Sequence, residues 1–172
     1  NADYAIIDVS HNGYVFTDDP IYHRRRAIRL EKDVYVLDDE ITGLGLKEHD
    51  LRLYFNFAPG KLCGQGQDWV YTTPKGAAYR FVTTSDKPLV TEKLEGSESP
   101  IGGWVSYGYS LRVPAPQLIL RGKGSVPLRN VTVIAPVGYD IACRIEGSKA
   151  VVELAGLKTI RLTVEGDQVI RD

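Results

Sequence analysis

Leu51-Arg52-Leu53-Tyr54-Phe55-Asn56-Phe57-Ala58-Pro59-Gly60 is the stretch whose reading decides the fold. Leu51, Leu53, Phe55 and Phe57 alternate with Arg52, Tyr54 and Asn56. Residues i and i+2 of a strand share a face, so the first set is expected to line a core. Pro59-Gly60 then breaks the strand. The same period of two recurs along the chain. Val34, Val36 and Asp38 alternate with Tyr35, Leu37 and Asp39, giving that segment two useful faces. Val131, Val133 and Ala135 alternate with Thr132 and Ile134, and residues 158–164 set Ile160, Leu162 and Val164 against Thr159, Arg161 and Thr163.

Turn signals fall between these runs. Gly43-Leu44-Gly45 ends one strand, and Glu146-Gly147-Ser148-Lys149 and Glu165-Gly166-Asp167-Gln168 read as short hairpins, because glycine supplies the positive φ such turns need. With Ala155-Gly156 joining the strands between them, the last ~35 residues read as an antiparallel meander. No segment holds a 3.6-residue period for more than two turns. The expected fold is all-β: an antiparallel two-sheet β-sandwich with many short strands and little helix. Residues 93–103, with Gly96, Ser97, Ser99 and Pro100, read as a surface loop or a sheet-to-sheet crossover within one domain.

A chain of 172 residues suits one domain, residues 3–172, and buries roughly 70% of its unfolded surface without staples. The chain contains no Met, and Asn1-Ala2 reads like the remnant of a cleaved tag, so residues 1–2 are set aside. The formal net charge of −1 argues against a general nucleic-acid binder. No apolar run approaches the ~20 residues a membrane span requires. Cys63 and Cys143 allow at most one disulfide and are expected to be free thiols. Three separated His and two distant Cys show no metal-ligand spacing. Gly64-Gln65-Gly66 lacks the Gly-Lys-Ser/Thr of a phosphate loop, and no Gly-x-Ser-x-Gly elbow occurs.

The chemistry-bearing residues gather near the start. His11, Tyr14, Tyr22 and His23-Arg24-Arg25-Arg26 form a basic-aromatic group suited to a polyanion, since guanidinium grips carboxylate or sulfate in bidentate fashion. Alternation puts His23 and Arg25 on one face and Arg24 and Arg26 on the other, so the arginines cannot all line one groove. Pairing with Asp38-Asp39-Glu40 on a neighbouring strand is the competing use for them. His49, at the entrance of the strongest strand, reads as a hydrogen-bonded surface residue. Trp104, Tyr107 and Tyr109 can stack on sugar faces if exposed, or close one end of the sandwich if buried.

The phrases His11-Asn12-Gly13-Tyr14, His23-Arg24-Arg25-Arg26, Phe57-Ala58-Pro59-Gly60 and Gly103-Trp104-Val105-Ser106 leading to Val113-Pro114-Ala115-Pro116, in that order, resemble the C-terminal β-sandwich region of the heparinase II/III-like polysaccharide lyases. The resemblance runs from about His11 to the end. It implies a parent that cleaves acidic polysaccharide by β-elimination, with its main catalytic residues in an upstream (α/α) toroid domain and any metal ion in an upstream stretch. It implies no cofactor in this chain; the location stays open, with a periplasmic or secreted one favoured over a cytoplasmic one. Such a lyase must neutralise the uronate carboxylate, remove the α-proton and protonate the leaving oxygen. His11 with Tyr14 could supply a base and acid, although their spacing alone does not bring them together. No catalytic residue is therefore assigned here, and His11, Tyr14, His23, Arg25, Trp104 and Tyr109 are the candidate substrate contacts. Two other readings stay open: a non-catalytic carbohydrate-binding or interaction module, and a β-sandwich enzyme complete in itself.

Overall fold

A computed structural model of the chain describes residues 5–45, 47–156 and 159–171. The tag-like residues 1–2, the first residues of the expected domain and Lys158 lie outside them. The described residues form strands and no helix. In chain order the strands are β1 (Ala5–His11), β2 (Ile21–Glu31), β3 (Val34–Gly43), β4 (His49–Asn56), β5 (Lys61–Gln65), β6 (Asp68–Thr72), β7 (Ala78–Ser85), β8 (Leu89–Leu94) and β9 (Ser97–Glu98). They continue with β10 (Ile101–Gly102), β11 (Trp104–Gly108), β12 (Leu111–Pro114), β13 (Gln117–Gly124), β14 (Leu128–Pro136), β15 (Asp140–Glu146), β16 (Lys149–Ala155), β17 (Thr159–Glu165) and β18 (Gln168–Arg171).

The all-β antiparallel sandwich expected from the alternation is present, built from more than two sheets. A seven-stranded sheet, ordered β1-β2-β3-β14-β7-β6-β5, lies at its centre. The two-faced reading of β3 explains why both sides of that sheet are covered. Val34 and Val36, with Ile28 and Leu30 of β2 and Val131, Val133 and Ala135 of β14, pack on Val152, Leu154, Ile160, Leu162 and Val164. Those partners belong to the four-stranded meander β15-β16-β17-β18. On the opposite face, Leu53 and Phe55 of β4 and Leu118 and Leu120 of β13 pack on Leu62, Trp69 and Phe81, with Leu37 and Ile134 alongside. This second cover is a three-stranded sheet, β4-β13-β8. A smaller cluster of Ile21, Ile41, Leu51 and Leu128 closes its end.

Each buried aliphatic side chain contributes ~1.5–3 kcal/mol to this arrangement. The Leu51 strand is thus a cover strand, with one face on the core and Arg52, Tyr54 and Asn56 exposed. The loose segment at 93–103 is partly ordered: β9 and β10 pair into a two-stranded hairpin, and β11 with β12 makes another. Both cysteines are free thiols. Among the described residues, no helix is long and apolar enough to cross a membrane.

Candidate functional site

The register of β2 on β3 sets the site. It places Arg24 opposite Glu40, Arg25 opposite Asp39 and Arg26 opposite Asp38, so the arginines meet the acidic run directly. The two faces then diverge. Toward the meander, Arg26 Nη2 lies 2.6 Å from Asp38, which also receives Arg129 Nε at 2.7 Å and Nη2 at 2.9 Å. Arg26, Asp38 and Arg129 are buried, so this is an internal ion-pair cluster. Arg24, nearer the rim, donates to Asp8 at 2.9 and 2.6 Å, and that hydrogen bonding holds the Asp8 carboxyl below its usual range.

On the other face, His23 and Arg25 both turn to Asp39, whose side chain is fully buried. His23 Nε2 lies 2.7 Å from Asp39 Oδ1, and Arg25 donates through Nε at 2.7 Å and Nη2 at 3.1 Å. The chain of contacts continues outward. His23 Nδ1 lies 3.3 Å from His11 Nε2, and the Gly13 amide donates to His11 Nδ1 at 3.2 Å. That amide fixes the tautomers of the neutral rings. His11 Nδ1 accepts, so Nε2 carries the proton and donates to His23 Nδ1; His23 Nε2 in turn donates to Asp39. A backbone amide is therefore linked through two imidazoles to a buried carboxylate. The Tyr14 ring leans on His11 with centroids 5.2 Å apart.

This chain borders a cleft of 820 Å³ between β2, the loop 12–20 and the free edge of β4. Tyr14, His23 and Arg25 line it, together with Arg52, His49 and Tyr54. The cleft is charge-mixed: Arg25, Lys47 and Arg52 stand against Asp18, Asp19, Glu48 and Asp50. His49 pairs with Asp19 at 2.9 Å, and the Lys47 amide donates to the same carboxylate at 3.2 Å. Among the described residues no cluster of three or more His, Cys, Asp or Glu is arranged to hold a metal ion. The Gly13 amide also stands where a proton would be needed on His11 Nδ1 if His11 Nε2 were to bind a metal.

The candidates read from the sequence therefore separate. Tyr14, His23 and Arg25 line the cleft, and His11 joins them through its ring contacts. Trp104 and Tyr109 do not line it. Trp104 donates from Nε1 to Ser97 O at 2.9 Å, and one ring face carries the Arg112 guanidinium at 4.2 Å, itself paired with Glu98 at 2.6 Å. Tyr109 is wholly exposed at the β11–β12 turn. Arg52, His49 and Tyr54 were not among the expected substrate contacts. Arg52 and Tyr54 carried one sequence signal, outward alternation in an otherwise apolar strand. A second recess, of 340 Å³, shares Tyr54 and is lined by Phe57, Tyr71, Tyr79 and Phe81.

The fold and this cleft define a class, an all-β sandwich domain with a charge-mixed cleft beside its central sheet. The profile of the family described as "Heparinase II/III-like, C-terminal" matches residues 1–154, and the chain belongs to that family. In solved structures the same fold occurs in a heparinase III, with 19% identity and a TM-score of 0.73 over 96% of this chain and 26% of that one. It also occurs in the heparan sulfate lyase HepC from Pedobacter heparinus, with 14% identity and a TM-score of 0.71 over 98% of this chain and 27% of that one. This chain thus spans about a quarter of the length of those proteins. No curated protein matches it.

Proposed function

We propose that this chain is the C-terminal β-sandwich of a heparinase II/III-like lyase that cleaves acidic polysaccharide by β-elimination. In this reading it supports an upstream (α/α) toroid catalytic domain and supplies one wall of the substrate cleft, without a complete catalytic set of its own. The observation that carries the reading is an uncovered face. All seven residues of β1 are exposed, with Ile7 at 65% and Val9 at 54%, beside a cleft wall that already holds an aligned His11–His23–Asp39 chain. Contiguous exposed apolar surface beside polar machinery suits a surface that another domain covers.

The membership in the family supports the same reading, since the related solved chains are about four times as long. The side chains here meet only part of what β-elimination needs. The acceptor nitrogen of His11 is taken by the Gly13 amide, and Arg25, which shares Asp39 with His23, is already engaged by that carboxylate. The test is release of unsaturated uronate from heparan-type glycans and alginate, followed by ultraviolet absorbance. The natural full-length gene product should release it and this chain alone should not. Release by this chain alone, or an inert full-length protein across both polymers, would sink the proposal.

A further inference from the structure

The two covers of the central sheet are unequal, and the smaller one ends abruptly. The three-stranded sheet lies over β5, β6, β7, β14 and β3, through Leu62, Trp69, Phe81, Ile134 and Leu37. On that face β1 is bare, and β2 is covered only where Ile21 packs on Leu51 and the Arg25 guanidinium lies over Phe55. The shared register puts Ile7, Ala27 and Leu37 in one row and Val9, Arg25 and Asp39 in the next. With neighbouring strands about 4.8 Å apart, the uncovered strip spans β1 and part of β2.

β4 borders this strip. Among the described residues it pairs only with β13, through eight consecutive residue pairs without a bulge, and it contains no proline. Exposed sheet edges are normally blunted by bulges, proline or lysine, because a row of unpaired amides and carbonyls recruits another strand. β4 has no bulge, proline or lysine, and its exposed charges, Asp50 and Arg52, stand in its first half. The hollows of the surface also follow its edge: the 820 Å³ cleft is bounded by residues 47–54, the 340 Å³ recess by 54–57, and the two meet at Tyr54.

We propose that the free edge of β4 takes up a further β-strand of the same polypeptide, from upstream of residue 1, which extends the three-stranded cover toward β1 and completes the wall this domain presents to substrate. This rests on the reading that a longer lyase chain carries the domain. The occupant is argued from length and shape together. The related solved chains hold this fold in 26–27% of their length, which leaves ample polypeptide to supply a strand. The groove is elongated parallel to an unpaired strand, and a strand added there satisfies the backbone groups of β4 while its inward side chains settle on Val9, Ala27 and the Arg25–Asp39 pair. The incoming segment should therefore alternate apolar residues inward with polar residues outward.

Hydrogen exchange read by mass spectrometry, on this chain and on the natural gene product, tests the inference. Peptides within residues 49–56 should exchange about ten-fold or more slowly in the longer protein, because half of the β4 amides gain partners. Peptides of β13, paired on both sides already, should change little. If β1 slows in the longer protein while β4 does not, the domain reading stands and the added strand is overturned. A natural product no longer than this chain overturns both. Protection of β4 in this chain that fades on dilution would assign the edge to a second copy and overturn the inference as well.

Discussion

Asp39 is fully buried, yet it receives His23 Nε2 at 2.7 Å from two residues along β2, rather than from the residue opposite it. The residue opposite is Arg25, which takes both carboxylate oxygens. One carboxylate thus fixes two alternate side chains of β2 and orients the wall of the cleft.

Replacing that carboxylate should loosen the wall. Asp39→Asn preserves shape but removes the charge facing Arg25, leaving hydrogen-bonding groups imperfectly paired in a buried site. Arg25 is about one-third exposed, so water compensates in part, and the expected loss is ~1–3 kcal/mol. Urea unfolding measures it. A change below ~0.5 kcal/mol, the usual range for an ordinary surface substitution, would contradict the role assigned to Asp39.

The tautomers of the imidazole pair are open to direct observation. With both rings neutral, nitrogen-15 spectra should show Nε2–H on both His11 and His23, with both Nδ1 atoms unprotonated. In Asp39→Asn the side-chain amide can reverse to present its NH₂ to His23, and the assigned tautomer of His23 should become mixed. An Nδ1–H signal from His11 in the wild-type protein would refute the chain of donors.

Asp38 carries a larger stake. It faces Arg26 and Arg129, both buried, so Asp38→Ala leaves Arg129 without its close counter-ion and Arg26 with Glu40 alone, at 2.7 Å. Breaking a buried ion pair by removing one partner costs ~3–5 kcal/mol, a large share of the ~5–15 kcal/mol that holds an ordinary domain folded. Soluble yield and thermal unfolding should report it. The joint replacement of Asp38, Arg26 and Arg129 by apolar residues should recover much of the loss.

The two thiols should differ in reactivity. Burial pushes the Cys143 thiol up to about 12, with Asp38 adding to the shift, whereas Cys63 is exposed. Because the thiolate is the nucleophile, iodoacetamide at pH 8 should label Cys63 first and leave Cys143 until the chain unfolds. The shift also carries a stability consequence. The folded value lies above the reference 9.0, so the contribution of Cys143 is fully present below pH 9 and is lost as pH rises toward about 12. Cys143→Ser should flatten that alkaline decline; an unchanged decline would assign it to other groups.

Much of the fold was legible because strand periodicity is local. The alternation at 51–57, the glycine turns at 147 and 166 and the free thiols all have their structural counterparts. The separation of His23 and Arg25 from Arg24 and Arg26 follows from the same period, while the pairing of the arginines with residues 38–40, weighed as the competing use, is set by the register of β2 on β3. What local pattern could not give was the count of layers. Val36 and Leu37 both read as apolar, and only their partners, Val152 and Leu120 among them, show that the sheet is covered on both faces.

The candidate site divides in the same way. The sequence by itself determined the all-β class, the faces of β2 and β4, and the stock of His, Tyr and Arg near the start, because each depends on residues one or two apart. The tertiary structure alone decided that His11 meets His23, that Asp39 rather than a ligand claims Arg25, and that Arg112 covers a face of Trp104. It also decided that β4 ends its sheet with an open edge. These outcomes depend on register and packing between segments far apart in the chain, where a shift of a single residue would send every side chain to the opposite face.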